Sequence, residues 1–143
     1  MTERKNREQE IKALGILIVG NHKPLRASLR DWVGMHLPEA RILEAGDVKE
    51  VTGEPLAERP HIIILDTGMD GMRGFEATER VREAWPDAKI VILTMHENPE
   101  YVAGAKAAGA SACILKRNMG TEFISVLEEL LSEDGDALGG TLN

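Results

Sequence analysis

Residues 61–77 read HIIILDTGMDGMRGFEA, and the fold turns on the first six of them. Ile62 to Leu65 is an unbroken apolar run, too short for a helix and rich in β-branched isoleucine, as a strand buried on both faces should be. It stops at Asp66. A helical pattern then runs from Gly74 to Trp85, with Phe75, Thr78, Val81 and Trp85 on one side. The segment therefore reads as strand, carboxylate, helix.

The same grammar extends in both directions. Upstream, the run Ile16 to Val19 stops at Gly20-Asn21, and Pro24 is pre-set for the first turn of a helix. Leu25, Leu29, Trp32, Val33 and Leu37 recur at helical spacing until Pro38. Arg41 to Ala45 reads as a strand, and Val48 to Ala57 as a weak helix interrupted by Gly53 and Pro55. Downstream, Lys89 to Leu93 stops at Thr94, Pro99 to Ala108 is an alanine-rich helix, and Ala112 to Leu115 stops at Lys116. Thr121 to Leu131 closes the series as a helix. Five βα units in a row predict one doubly wound parallel sheet with right-handed crossovers and helices on both faces. Such sheets bind ligands at the edge where the strands end. Asp66, Thr94 and Lys116 bring a carboxylate, a hydroxyl and an ammonium to that edge, whereas the first strand ends in Gly20-Asn21 and brings no carboxylate.

Length and composition narrow the function. At 143 residues the chain is expected to hold one domain, bounded by a polar extension at 1–13, the folded unit at 14–131, and a glycine-rich tail or cut linker at 132–143. Apolar residues make up 43% and aromatic residues only 3%, so the core must be aliphatic, which suits buried parallel strands. A net charge of -7 argues against direct nucleic-acid binding, which depends on Lys and Arg neutralising phosphates. The lone Cys113 has no internal disulfide partner, and no stretch resembles a signal peptide or a membrane span. A cytoplasmic location is the expectation.

From about Leu14 to Leu131 the chain resembles the receiver domain of two-component response regulators, the CheY-like family. HIIILDTGMDGMRGFEA, KIVILTMHENPEYV and AGASACILKR carry the likeness, in the right order and at sensible distances. The LTMH segment and the Asn-Pro-Glu-Tyr after it look most like the LuxR-type branch, whose members usually carry a helix-turn-helix output domain, absent from these residues. The resemblance implies a flavodoxin-like (βα)5 fold with strand order 2-1-3-4-5, and phosphorelay signalling rather than an enzyme's turnover. It further implies Asp66 as acceptor of a phosphoryl group from a histidine kinase, with Thr94 hydrogen-bonding one phosphoryl oxygen and Lys116 pairing with another. The chemistry would be positioning and charge neutralisation. Mg²⁺ would take Asp66, the residue at Asn21 and the backbone carbonyl of Gly68 as ligands.

Two departures qualify this. The family places an acidic pair where this chain has Gly20-Asn21, and Mg²⁺ prefers carboxylate oxygens. The loss of one charge at ~4 Å in an effective dielectric of ~20 is on the order of 4 kcal/mol before solvation offsets it. Metal binding is therefore expected to be weak, with Asp70 and Glu97 as candidate compensators that stand outside the usual ligand position. The second departure is Cys113, where the family usually has Tyr or Phe. That ring reports phosphorylation to the face formed by the last strand and the helices flanking it, and cysteine is too small for the task. The favoured reading is an atypical receiver, phosphorylation-independent or weakly phosphorylatable. Its competitor is a conventional phosphoaspartate switch controlling transcription through a helix-turn-helix domain.

Other residues read more plainly. His22, His36, His61 and His96 follow no metal-ligand spacing, Cys113 reads as a small buried hydrophobe, and Gly104 and Gly109 as packing and turn residues. A flavodoxin or cobalamin-binding domain is disfavoured because no Ser/Thr-rich phosphate loop follows the first strand, and Asn-His-Lys-Pro lacks the Asp-x-His-x-x-Gly of a cobalt ligand. The closing helix carries Phe123, Ile124, Val126, Leu127, Leu130 and Leu131, a wider apolar set than one sheet face needs. That surplus predicts either contact with the first helix or an exposed patch that serves as a partner site, and any homodimer through such a patch is expected to be constitutive, because Cys113 supplies no ring to couple it to Asp66.

Overall fold

The computed structural model describes residues 14–48, 59–66 and 71–137. Strands β1 (Gly15–Val19), β2 (Arg41–Ala45), β3 (Ile62–Asp66), β4 (Lys89–Thr94) and β5 (Ala112–Leu115) form one sheet in the order β2-β1-β3-β4-β5. Every pairing is parallel, with Val19 opposite Leu65 and Ala45, and Asp66 opposite Leu93. Helices α1 (Lys23–His36), α2 (Gly71–Ala84), α3 (Pro99–Ala108) and α4 (Met119–Ala137) connect and cover the strands. The expected helix at 48–57 lies outside the described residues beyond Val48.

Continuous apolar strands arise because each must satisfy two cores. Successive side chains point to opposite faces. Ile16, Ile18, Ile62, Ile64, Val91 and Leu93 go to one side with Leu29 and Val33 of α1 and Phe123, Leu127 and Leu130 of α4. Leu17, Val19, Ile63, Leu65, Ile90 and Ile92 go to the other with Val81 of α2 and Ala105 of α3. Strands with one polar face could not serve both layers.

Several boundaries differ from the sequence expectation. Asp66 and Thr94 are the last residues of their strands rather than the first residues beyond them. The chain leaves β5 through a 3₁₀ turn, Lys116–Asn118, so α4 begins at Met119 and runs to Ala137, past the expected limit at Leu131. Its buried spine is Phe123, Leu127 and Leu130. Ile124, Val126 and Leu131 are half-buried against the same core, and Trp32 of α1 meets Phe123 with ring centroids 5.2 Å apart. Part of the apolar set thus meets the first helix, through Phe123. Among the described residues the exposed large hydrophobic side chains lie elsewhere, at Met35, Leu43 and Met95. No helix among the described residues is long and apolar enough to cross a membrane.

Two glycines are required by geometry. Gly109 caps α3 at φ +119°, in the left-handed region that costs a side chain dearly. At Gly104 an added Cβ would lie 2.8 Å from Phe75 Cε2, so the α2–α3 contact depends on its absence.

Candidate functional site

Three strand ends build the site. β3 delivers Asp66 and β5 leads into Lys116, whose Nζ lies 2.6 Å from Asp66 Oδ1. Asp66 is 8% exposed and Lys116 23%, so the pair is desolvated enough for its geometry to matter. Thr94 is 1% exposed at the end of β4. Its Oγ1 accepts a hydrogen bond from the backbone N–H of His96 at 3.0 Å.

The β1 side is built differently. The backbone of Gly20 donates from its N–H to the carbonyl of Ala45 at 3.0 Å, and its carbonyl accepts from Arg26 Nη1. Arg26 and Arg30 then share Glu44, each at 3.0 Å. Gly20 lies directly against the acceptor: an ideal Cβ there would fall 3.1 Å from Asp66 Cβ and 3.5 Å from Oδ2. Of the expected metal ligands, Asp66 already faces an ammonium, Asn21 is exposed and can offer only a neutral amide, and Gly68 lies outside the described residues. Asp70 lies outside them too. Glu97, the other candidate compensator, is engaged by Arg117.

Residues passed over in the sequence furnish the surroundings. Each histidine has a local partner: His22 Nδ1 caps α1 by accepting from the Leu25 N–H, His61 Nδ1 accepts from the Gly15 N–H, and His36 Nδ1 lies 3.1 Å from the Trp32 carbonyl. The ring of His96 stacks on Tyr101, centroids 4.6 Å apart, and Tyr101 meets Phe75 at 4.9 Å. A cavity of about 160 Å³ opens beside Thr94, lined also by His96, Glu97, Val102, Cys113, Leu115, Asn118 and Glu122. Burial pushes the Cys113 thiol above its usual pKa, partly opposed by the Lys106 ammonium.

The family described as the response regulator receiver domain matches residues 16–128. The oxygen regulatory protein NreC of Staphylococcus epidermidis is 32% identical over 110 residues, covering 76% of this chain and 50% of that protein. The transcriptional activator protein ExaE of Pseudomonas putida is 30% identical over 103 residues, covering 72% and 48%. The chain thus spans about half the length of the curated relatives it matches. A LuxR-family two-component response regulator from Aurantimonas sp. SI85-9A1 superposes with a TM-score of 0.73 at 28% identity, over 83% of this chain and 85% of that one. RcsB of Salmonella typhimurium, at 17% identity and a TM-score of 0.73 over 85% of this chain and 61% of that one, shares the fold. A parallel sheet in the order 2-1-3-4-5, an aspartate and a lysine joined at its edge, and a family match over most of its length make this chain a member of the receiver-domain family of two-component response regulators, with relatives of the LuxR type.

Proposed function

We propose that this chain is an atypical receiver module in which Asp66 is held by the protein's own lysine and only feebly by metal, so that phosphorylation there is slow and a protein partner reads the surface largely without it. The observation that carries the proposal is Gly20, whose backbone lies against the Asp66 side chain where a metal-holding carboxylate would otherwise stand. With Asn21 beside it, the described donor set is one carboxylate, already paired to Lys116, and a neutral amide. That set suits Mg²⁺ poorly, because the ion takes hard, preferably anionic oxygen ligands. Incubating the protein with phosphoramidate and following intact mass tests this: wild type should gain one phosphoryl group slowly, Asp66→Asn none, and added Mg²⁺ should accelerate the wild type little.

One observation supports the second reading, a conventional switch. Asp66, Thr94 and Lys116 all end at one sheet edge, with Thr94 buried and the other two in contact. There an Asp66 oxygen would attack the phosphorus of a kinase phosphohistidine. The P–O bond would form as the P–N bond breaks, and the imidazole would leave carrying a proton. Lys116 would shift from the carboxylate to a phosphoryl oxygen, and Thr94 would donate to another.

In either reading the partners are a histidine kinase or another signalling protein in the cytoplasm, with no direct nucleic-acid contact by this acidic chain. The relatives' names, a transcriptional activator protein among them, support a transcriptional output.

A further inference from the structure

The pairing of β1 with β3 ends at Val19 opposite Leu65, yet the next residue, Gly20, is the one that lies against Asp66. Gly20 is held there from the β2 and α1 side. Its N–H donates to the Ala45 carbonyl at 3.0 Å, and its own carbonyl accepts from Arg26 Nη1. The Arg26 side chain is 13% exposed, and a guanidinium withdrawn that far from water needs a counter-charge. Glu44 of β2 supplies it, with Oε1 at 3.0 Å from Arg26 Nε, while Arg30, one turn further along α1, holds Oε2 at 3.0 Å. Arg26 reaches out from a fixed base: its N–H donates to the His22 carbonyl at 3.0 Å, and His22 Nδ1 caps the same turn. The contact with Asp66 has no slack, because an ideal Cβ on Gly20 would lie 3.1 Å from Asp66 Cβ and 3.5 Å from Oδ2. The carboxylate is thus walled by this turn on its Oδ2 side, while Oδ1 faces Lys116.

We propose that Arg26 is a positioning residue for Asp66: tied to Glu44, it latches the β1–α1 turn against the carboxylate, and slackening the latch opens the Oδ2 side to a cation or a phosphodonor. The opening rests on the reading of Asp66 as a metal-poor acceptor, and adds to it that the β1 side is held shut as well as short of charge. The latch does not rest on that reading and is tested without it. Position and charge make opposite demands on Glu44. If the guanidinium acted by its charge alone, Glu44→Gln would leave it less compensated and would weaken cation binding. A latch loosened by Glu44→Gln admits the cation more readily.

A double-mutant cycle tests the latch with no ligand present. Gly20→Ala forces a Cβ toward Asp66, so the turn must back away against Arg26. Arg26→Lys keeps the charge but lacks the planar fork that reaches the carbonyl and Glu44 together. The urea midpoint should therefore respond more favourably to Gly20→Ala in Arg26→Lys than in wild type, the chain-entropy part of a glycine replacement cancelling between the two. Equal responses overturn the latch. Calorimetric Mg²⁺ titration in the Asn21→Asp background tests the opening: adding Glu44→Gln should raise affinity about threefold or more. Unchanged or weaker binding overturns it, weaker binding being the mark of a charge effect. Phosphoramidate uptake, read by intact mass, is the separate arm, in which an Asp66 oxygen displaces ammonia and the P–O bond forms as the P–N bond breaks. Arg26→Lys and Glu44→Gln should each take up the phosphoryl group faster than wild type. Absence of uptake in all three counts against Asp66 as acceptor alone, while uptake at the wild-type rate in both variants overturns the opening.

Discussion

Restoring one carboxylate to the end of β1 should convert feeble metal binding into firm binding, and the structure sets the size of the effect. Asn21→Asp adds a negative charge to the residue after Gly20, the glycine that lies against Asp66, and the new carboxylate is expected to share an ion with Asp66. At ~4 Å and an effective dielectric of ~20 the gross gain is about 4 kcal/mol per unit charge. Desolvation and the repulsion between the carboxylates consume roughly half, leaving about 2 kcal/mol, or a thirtyfold gain in affinity. If wild type binds with Kd about 10 mM, then at about 10 mM Mg²⁺ linkage stabilises it by ~0.4 kcal/mol and the variant by ~2 kcal/mol. For a domain of this size that is a Tm rise of about 2 °C against about 8 °C. Without metal the added like charge should lower Tm by about 2 °C, giving the variant a crossing signature. Gly20→Asp should gain less, because its Cβ must displace Asp66 by a few tenths of an ångström. Differential scanning fluorimetry of the three proteins with and without Mg²⁺ reads all of this. A wild type already stabilised by about 8 °C at about 1 mM Mg²⁺ would refute the argument from missing charge and turn attention to Asp70.

Further outcomes follow from contacts around the site. Lys116→Met deprives the nearly buried Asp66 of its ammonium and should cost about 2–3 kcal/mol, discounted for the partial exposure of the lysine, whereas adding Asp66→Asn should recover most of it in chemical denaturation. Arg82 donates to the carbonyls of Pro86, Ala88 and Gly109. Arg82→Ala should therefore destabilise the domain by about 2–4 kcal/mol and speed hydrogen exchange at the end of α3, and Arg82→Lys should rescue little because an ammonium lacks the planar fork. Because burial raises the Cys113 pKa, less thiolate is present at neutral pH than in a free cysteine, and the deficit persists until the pH passes that raised value. Iodoacetamide should label the native protein more slowly than the urea-unfolded one, with the difference shrinking as pH rises.

What the sequence made legible was whatever depends on local pattern. β-branched runs of four or five residues announced the strands, because a strand buried on both faces has no polar alternation to confuse with a helix. Asp66 and Lys116 were visible because each ends such a run, and parallel strands ending at one edge must bring those ends together. Which of the six apolar residues of α4 form its buried row was left open by the sequence, because the face a helix buries is fixed by tertiary packing rather than by spacing along the chain. The stack of Phe75, Tyr101 and His96 draws on two helices and the β4–α3 segment, so no spacing along the chain could reveal it. Nor could composition show that Glu97, a candidate metal compensator, would be taken by Arg117. The capping histidines were hidden for the same reason: a ring nitrogen accepting from a backbone N–H leaves no signature in residue type.

The most direct test of the central claim is the rate of phosphoryl uptake at Asp66 from phosphoramidate, followed by intact mass over a Mg²⁺ titration in wild type and in Asn21→Asp. The account predicts slow uptake by wild type with little response to Mg²⁺, and uptake by Asn21→Asp that is steeply Mg²⁺-dependent and about tenfold or more faster, in line with a transition-state gain of about 1.4 kcal/mol or more. Equal, rapid and Mg²⁺-saturable uptake by both proteins would contradict it and return the chain to the ordinary phosphoaspartate switches.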